Sequence, residues 1–177
     1  MARAHVSGSV AVDGAASHSL CSLHTLYHSQ AWHDVLPDVS LAYVLHHLIM
    51  PRLRTAIAAW DPTEDTVALH VWLHPWLPYL QSDMQELWSP IRHKFAAALE
   101  QWQPWDGSAL AILSPWHRVF DAKDWNALLA RSIVPRLALA LQQLVINPAA
   151  QDMAPWEWVM AWAEVMPTLL MVRVVAG

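Results

Sequence analysis

The chain has 177 residues, of which 55% are hydrophobic and only 14% are charged, and it contains twelve tryptophans. Because each buried Trp removes roughly 150–250 Å² from water, this composition excludes a disordered chain and predicts one domain with a large core. The net charge of −5, with no run among the ten Lys and Arg residues, argues against nucleic-acid binding through a basic stripe.

Cysteine content and hydropathy argue against a disulfide-bonded, a secreted and a membrane-spanning protein. Cys21 is the only cysteine, so we expect no intrachain disulfide and no cysteine-based zinc site, which fits a reducing compartment. Residues 1–20 lack a continuous apolar core, and no run of about 18 uncharged apolar residues follows, so we expect neither a signal peptide nor a membrane span. The low share of charge predicts that a partner covers part of the surface; a Trp-rich monomer is the alternative.

The first part of the chain changes character near residue 32. Residues 1–30 show no clear period, and we expect a flexible lead-in with a short helix near residues 20–27. Apolar side chains recur at helical spacing over residues 40–60, which predicts a helix with a kink or break at Pro51 and an end at Pro62.

The next segment is dense in tryptophan and proline, with Trp72, Pro75, Trp76 and Pro78 within seven residues. It is expected to bury a large apolar area and to interrupt the helix, since a proline is tolerated best in the first turn. A helix is predicted over residues 79–88. Ser89 followed by Pro90 then predicts the start of a helix that continues to residue 102.

Shorter helices are predicted over the rest of the chain, at residues 108–113, 121–131, 135–146 and 156–163. Ser114 followed by Pro115 repeats the start signal, Asp121 is expected to cap its helix, and Asn147 with Pro148 is expected to end the one before it. No stretch alternates with a period of two, so the predicted fold class is all-α.

Prolines recur about every 40 residues, in the series Pro37, Pro75, Pro115; Pro51, Pro90, Pro135; and Pro62, Pro104, Pro148. Pro62 and Pro104 follow apolar residues at matching offsets, including Trp60 and Trp102, whereas Pro148 does not keep the match. Helical pairs with this period predict a HEAT-like irregular α-solenoid. The alternative is an irregular helical domain whose prolines are spaced by chance.

Candidate catalytic and metal-binding residues are few. His70 and His74 are four residues apart, as a metal pair on one helix would be, but no Glu follows His70 as the HExxH pattern requires. Ser89 and Ser114 fit helix starts better than nucleophiles, and four glycines form no phosphate-binding loop. We therefore expect no enzymatic activity, no metal site and no cofactor.

The tryptophans have three candidate roles: a core, a ligand box, or a platform on which bases stack. Their helical spacing, with prolines between them, is typical of a core, and partner contact by some of them is compatible with it. Direct RNA or DNA binding by a helical module is the alternative function.

Several stretches resemble the GC-rich sequence DNA-binding factor-like (GCFC) domain. The most specific is WLHPWLP at residues 72–78, preceded by WDP at 60–62 and followed by WSPIR at 88–92. Further matching pieces are LIMPRL at 48–53, LSPW at 113–116, VF at 119–120, Trp125, IVPRL at 133–137 and VINP at 145–148. The resemblance covers about residues 32–162 and is strongest to the G-patch splicing factors of the family.

This resemblance implies a non-enzymatic α-helical scaffold in the nucleus, part of a pre-mRNA splicing factor that acts in spliceosome disassembly. It implies protein partners among the spliceosome-disassembly proteins, namely a DEAH-box RNA helicase complex and another GCFC-family protein. From hydropathy and charge we expect no membrane contact and no direct nucleic-acid contact. The candidate structural and partner-contact residues in the matching motifs are Trp72, His74, Pro75, Trp76, Pro78, Trp88, Pro90, Arg92, Trp116, Pro135, Arg136, Asn147 and Pro148.

The expected organisation has three parts: a lead-in over residues 1–30, a partial GCFC-like domain over 31–164 and a tail over 165–177 outside the family pattern. No glycine-rich segment resembles the G-patch that recruits and stimulates the helicase. We therefore expect a fragment or a truncated gene product, to which helicase activation is not carried over.

Overall fold

The computed structural model describes residues 37–176, and within that part every regular element is helical, which confirms the all-α prediction. The lead-in and its short helix lie outside the described residues. The described chain forms two compact units: residues 37–60 with 64–83, and residues 61–63 with 84–176. None of the helices between residues 37 and 176 is both long and apolar enough to cross a bilayer.

The first unit begins with one long helical run around Pro51. Helix α1 (Asp38–Val44) passes through a π-helical turn (Leu45–Ile49) into helix α2 (Met50–Ala59). The expected kink or break therefore takes the form of a π turn, after which Pro51 is the second residue of α2. A proline ring clashes with the carbonyl group four residues earlier, and a wider turn relieves that clash without ending the helix.

The Trp- and Pro-dense segment completes the first unit as four short pieces. Helix α3 (Leu69–Leu73) leads into a 3₁₀ turn (His74–Trp76), helix α4 (Leu77–Leu80) and a second 3₁₀ turn (Gln81–Met84). The predicted interruption is confirmed, whereas the helix predicted over residues 79–88 is broken by the 3₁₀ turn at Gln81–Met84. The buried side chains of this segment are Leu69, Trp72, Leu73, Trp76 and Leu80.

The second unit begins with helix α5 (Gln85–Ala98), which corrects the prediction of a helix start at Ser89 and Pro90. Pro90 is the sixth residue of α5 and is exposed, so the hydrogen bond it cannot donate would lie on the solvent side of the helix. The opposite face stays continuous because its apolar side chains are buried: Leu87, Trp88, Ile91 and Phe95.

Five further helices follow: α6 (Ser108–Leu113), α7 (Ala122–Ser132), α8 (Val134–Gln142), α9 (Ala154–Met160) and α10 (Thr168–Ala176). The start signal predicted at Ser114 gives only a 3₁₀ turn (Ser114–Trp116). The helix predicted up to residue 146 ends at Gln142, before Asn147, and α10 was not predicted. Asp121 precedes α7 as expected, although its side chain makes no capping hydrogen bond.

Helix α8 lies at the centre of the second unit and contacts α7, α9 and α10. Leu137 of α8 is fully buried, and α10 contributes the buried Leu170 and Val174. The indole N–H of Trp125 in α7 donates a hydrogen bond to the carbonyl oxygen of Val165 at 2.9 Å. The segment expected to be a tail is thus packed against the rest of the unit.

Some local structure recurs about 40 residues apart. The turns His74–Trp76 and Ser114–Trp116 each follow a short helix and end on a Trp that is only 1% exposed. The indoles of Trp60 and Trp102 each donate to a backbone carbonyl group a few residues later. Before Pro148, Ile146 stands where the other two copies have a buried Trp, and Ile146 is 82% exposed, so a solenoid period stays a prediction.

Candidate protein-interaction surface

Four of the candidate tryptophans belong to the hydrophobic core. Trp72 and Trp76 are buried in the first unit, and Trp88 and Trp116 are buried in the second. Their neighbours Pro75, Pro78 and Pro90 are exposed, because each proline lies on the outer face of its helical segment. The matching family motifs therefore describe mainly architecture.

Trp88 and Trp116 are part of an aromatic cluster in the second unit. Trp116 stacks on Phe120 with ring centroids 5.2 Å apart and an interplanar angle of 22°. Phe95 and Trp88 approach Trp116 edge-on, at 5.5 Å and 6.1 Å. Edge-to-face and stacked pairs of this kind each contribute about 0.5–1.5 kcal/mol beyond the area they bury.

Arg92 has a structural position beside this cluster. Its guanidinium carbon lies 5.7 Å from the centroid of the Phe120 ring, and the group forms an ion pair with Asp124 at 2.9 Å. Because Arg92 is half-buried and engaged on both sides, it joins α5 to α7, which is the structural role of this candidate residue.

Arg136 closes the carboxyl end of α5. Its guanidinium donates hydrogen bonds to the carbonyl oxygens of Leu99 and Glu100, which the last turn of α5 leaves without helical partners. A cation at this end of a helix also interacts favourably with the helix dipole. Pro135 beside it is the exposed second residue of α8, where its missing N–H has little effect.

Asn147 and Pro148 lie in an exposed loop that is held by its own polar groups. The backbone N–H of Asn147 donates to the side-chain oxygen of Gln151 at 2.9 Å, and its Oδ1 accepts from the N–H of Ala149 at 3.1 Å. Gln151 also donates to the carbonyl oxygen of Val145. These residues shape the loop that leads to α9.

His70 and His74 lie side by side, with ring centroids 5.7 Å apart. Burial, and secondarily the charge of His70, lowers the pKa of His74 below its ordinary value. Between residues 37 and 176 no third His, Cys, Asp or Glu completes a metal-binding group.

The surface that sequence reasoning missed is a groove of about 290 Å³, here called the Trp groove. Its apolar walls come from the loop after α5, from α8 and from the start of α9. It is lined by Gln103, Pro104, Trp105, Arg136, Leu139, Ala140, Gln143, Pro155 and Trp158. Trp105 is 65% exposed and Leu139 is 53% exposed, although both are large apolar side chains.

A β-turn positions Trp105 in this groove. The N–H of Asp106 donates to the carbonyl oxygen of Gln103 at 3.0 Å, with Pro104 at the second position, where its fixed φ suits the turn. The Asp106 carboxylate accepts hydrogen bonds from the hydroxyl and N–H of Ser108, which lower the pKa of Asp106. The turn is thus braced, and it presents Trp105 outward.

The indole of Trp105 approaches that of Trp158 edge-on, with ring centroids 6.1 Å apart. Both rings line the Trp groove, together with Leu139 and Ala140 of α8. Prolines and tryptophans of this kind lose little conformational freedom on binding, which is why aromatic side chains dominate protein interfaces. The groove has the chemistry of a site for an apolar side chain of another protein.

Comparison with known proteins gives the family. Residues 24–177 match the family described as GC-rich sequence DNA-binding factor-like protein. The chain belongs to the GCFC family. The match includes α10 and residues 165–177, which the motifs alone left outside the family pattern.

GCFC relatives of known name are long proteins. Tuftelin-interacting protein 11 of Danio rerio is 47% identical over 133 residues, which covers 75% of this chain and 16% of that protein. The proteins of the same name from Bos taurus and Gallus gallus are 44% and 43% identical over 132 residues, with the same coverage. The chain spans only 16% of the length of these relatives, and neither the family nor their name denotes an enzyme.

Proposed function

We propose that this GCFC chain is a non-enzymatic protein-interaction scaffold in the nucleus, belonging to a pre-mRNA splicing factor that acts in spliceosome disassembly. The relatives named tuftelin-interacting protein 11 form a splicing-factor family, and their likeness to this chain supports a splicing-related role. The proposal includes the HEAT-like solenoid arrangement, since stacked helical repeats expose extended binding surfaces.

The observation that carries the scaffold role is the exposed Trp105 beside Trp158 in the Trp groove. The tryptophans of the family motifs are buried, whereas Trp105, which lies outside those motifs, is the most exposed tryptophan of residues 37–176. The expected occupant of the groove is an apolar side chain of a partner protein.

The partners we propose are two components of the spliceosome-disassembly machinery. One is a DEAH-box RNA helicase complex, and the other is a second GCFC-family protein. Electrostatics favour protein over nucleic acid, because the chain carries a net charge of −5. The Trp groove itself contains one cation, Arg136, which is engaged at the end of α5.

A pull-down from nuclear extract tests this function. The tagged chain should recover identified splicing proteins, and Trp105→Ala should reduce their recovery about tenfold or more, as loss of an interface anchor does. Trp156→Ala is the matched control, because Trp156 is 38% exposed but does not line the groove. Recovery of no splicing protein by the unaltered chain in mild salt would refute the proposal.

The same protein preparation tests the nucleic-acid alternative. Titration with labelled RNA and DNA across a salt series should show no binding at low salt. Tight binding with a steep salt dependence would replace the scaffold role by direct nucleic-acid recognition.

A further inference from the structure

A second concave site, here called the basic pocket, adjoins the Trp groove. It has a volume of about 300 Å³ and lies between the end of α5 and the junction of α7 with α8. It is lined by His93, Ala96, Ala97, Leu99, Glu100, Arg131, Ser132 and Arg136. Arg136 lines both sites, so one bound segment can occupy the two together.

The side chains of the basic pocket provide hydrogen-bond donors. Arg131 is exposed and forms no ion pair within residues 37–176, so its guanidinium is available for a ligand. Arg136 uses two of its N–H groups on the end of α5 and keeps the others. Ser132 and His93 add donors, and Glu100 is the one acidic side chain in the lining.

The charge of this pocket differs from that of the whole chain. Its two arginines outnumber its single glutamate, so the pocket is positive on a protein whose net charge is −5. Arginine binds carboxylates with two parallel hydrogen bonds, which gives the contact orientation as well as strength. The pocket therefore complements a carboxylate group.

We infer that the protein segment bound by this chain is an acidic peptide with an apolar anchor. The anchor side chain enters the Trp groove beside Trp105, and an adjacent Glu or Asp pairs with Arg131 in the basic pocket. A protein ligand fits better than a nucleic acid, because the pocket is lined by only two arginines and the chain has no run of basic residues that could follow a phosphate backbone. The inference rests on the proposed function and specifies the chemistry of its partner.

Three labelled peptides test this chemistry by fluorescence anisotropy with the 177-residue chain. One alternates Glu with Leu, the second replaces every Glu by Gln, and the third replaces every Leu by Ser. The first peptide should bind most tightly, and high salt should weaken it by screening its charges.

Two substitutions with opposite expected effects separate the site from general destabilisation. Arg131→Gln should weaken binding of the Glu–Leu peptide about three- to tenfold, and Glu100→Gln should tighten it about two- to threefold. Arg173→Gln is the matched control on α10, because Arg173 lines neither site, and this variant should bind as the unaltered chain does.

The outcomes also distinguish the inference from the function on which it rests. If the Gln peptide binds as tightly as the Glu peptide, and Trp105→Ala weakens both, the inference fails while the Trp groove remains an interaction site. Equal effects of Arg131→Gln and Arg173→Gln would also overturn it. RNA that binds more tightly than the peptide and depends on Arg131 would overturn it in favour of a nucleic acid.

Discussion

Arg136 of α8 donates a hydrogen bond to the carbonyl oxygen of Leu99, 37 residues earlier, at the end of α5. A second bond from the same guanidinium reaches the carbonyl oxygen of Glu100. One side chain therefore joins α5 to α8 at two backbone acceptors, of which the Leu99 carbonyl oxygen also accepts from the N–H of Trp102 at 3.3 Å. Only a planar fork with several donors makes both bonds at once.

Arg136→Gln should lower the free energy of unfolding by about 1.5–3 kcal/mol, because hydrogen bonds from a charged group are lost. Urea denaturation of the chain measures the change. Arg173→Gln is the control, since Arg173 is exposed on α10, and should change the value by less than about 0.5 kcal/mol. Equal effects of the two variants would contradict the capping role.

Trp76→Ala should destabilise the chain by about 3–5 kcal/mol, since the indole is only 1% exposed and its loss leaves a cavity. Trp105→Ala should lower stability by no more than about 1.5 kcal/mol, because Trp105 is 65% exposed and loses mainly its edge-on contact with Trp158. Thermal unfolding of both variants checks this pair. A large loss for Trp105→Ala would mean that the Trp groove is closed in solution.

Phenylalanine substitutions separate burial from hydrogen bonding. The indole N–H of Trp125 donates to Val165, whereas the buried N–H of Trp76 has no partner in the described chain. Trp125→Phe should therefore cost about 1 kcal/mol more than Trp76→Phe, because it leaves the Val165 carbonyl oxygen without its donor. Denaturant midpoints of the two variants measure the difference, and the reverse order would refute the assignment.

The lowered pKa of His74 predicts a dependence of stability on pH. In the unfolded chain His74 has a pKa of about 6.5 and takes up a proton as the pH falls below that value, whereas in the folded chain its imidazole stays neutral to a lower pH. Because the unfolded state then binds more protons than the folded state, protonation favours unfolding. The contribution of His74 to the free energy of unfolding is therefore complete above about pH 6.5 and declines as the pH falls through the pKa of His74 in the folded state. His74→Gln should flatten that decline.

The substitution His70→Gln tests the second cause of the lowered pKa of His74, the charge of His70. Burial is the larger cause of the lowered pKa and stays in place, while the charge of His70 is removed. The decline below pH 6.5 should therefore become smaller without disappearing. If His74→Gln leaves the full decline, other groups cause it.

Periodicity and family motifs predicted the helical fold class and the buried tryptophans. These two features can be read from the sequence because they depend on the spacing of apolar residues along a single helix. The same patterns misplaced the start of α5, since Ser89 with Pro90 looks like a capped first turn in any sequence. Tertiary packing determines where α5 begins, because Trp88 and Ile91 bury their side chains on either side of Pro90 and keep the helix intact.

The candidate site was less accessible to sequence reasoning than the fold. Trp105 is exposed because a braced turn points it away from the core, and no local pattern distinguishes it from buried tryptophans. One signal was present: Trp105 stands between Pro104 and the turn residues Asp106 and Gly107, outside any helical period. The residues that line the basic pocket come from α5, α7 and α8, which are far apart in the sequence and meet only in the folded chain.

The π turn before Pro51 also sets the rotational phase of the first helix. Counting back from Ile57 in steps of four and three gives Leu53, Met50, His46 and Tyr43. The extra residue of the π turn rotates what precedes it by about 100°. As a result Leu45 is buried, and His46 and Tyr43 are exposed. Deleting one of residues 46–49 would leave Leu45 four residues before Met50 in a plain α-helix and so keep it buried, whereas regular α-helical winding without a deletion would turn His46 inward. The π turn thus lets the helix hold one additional residue without changing the surface that α1 presents.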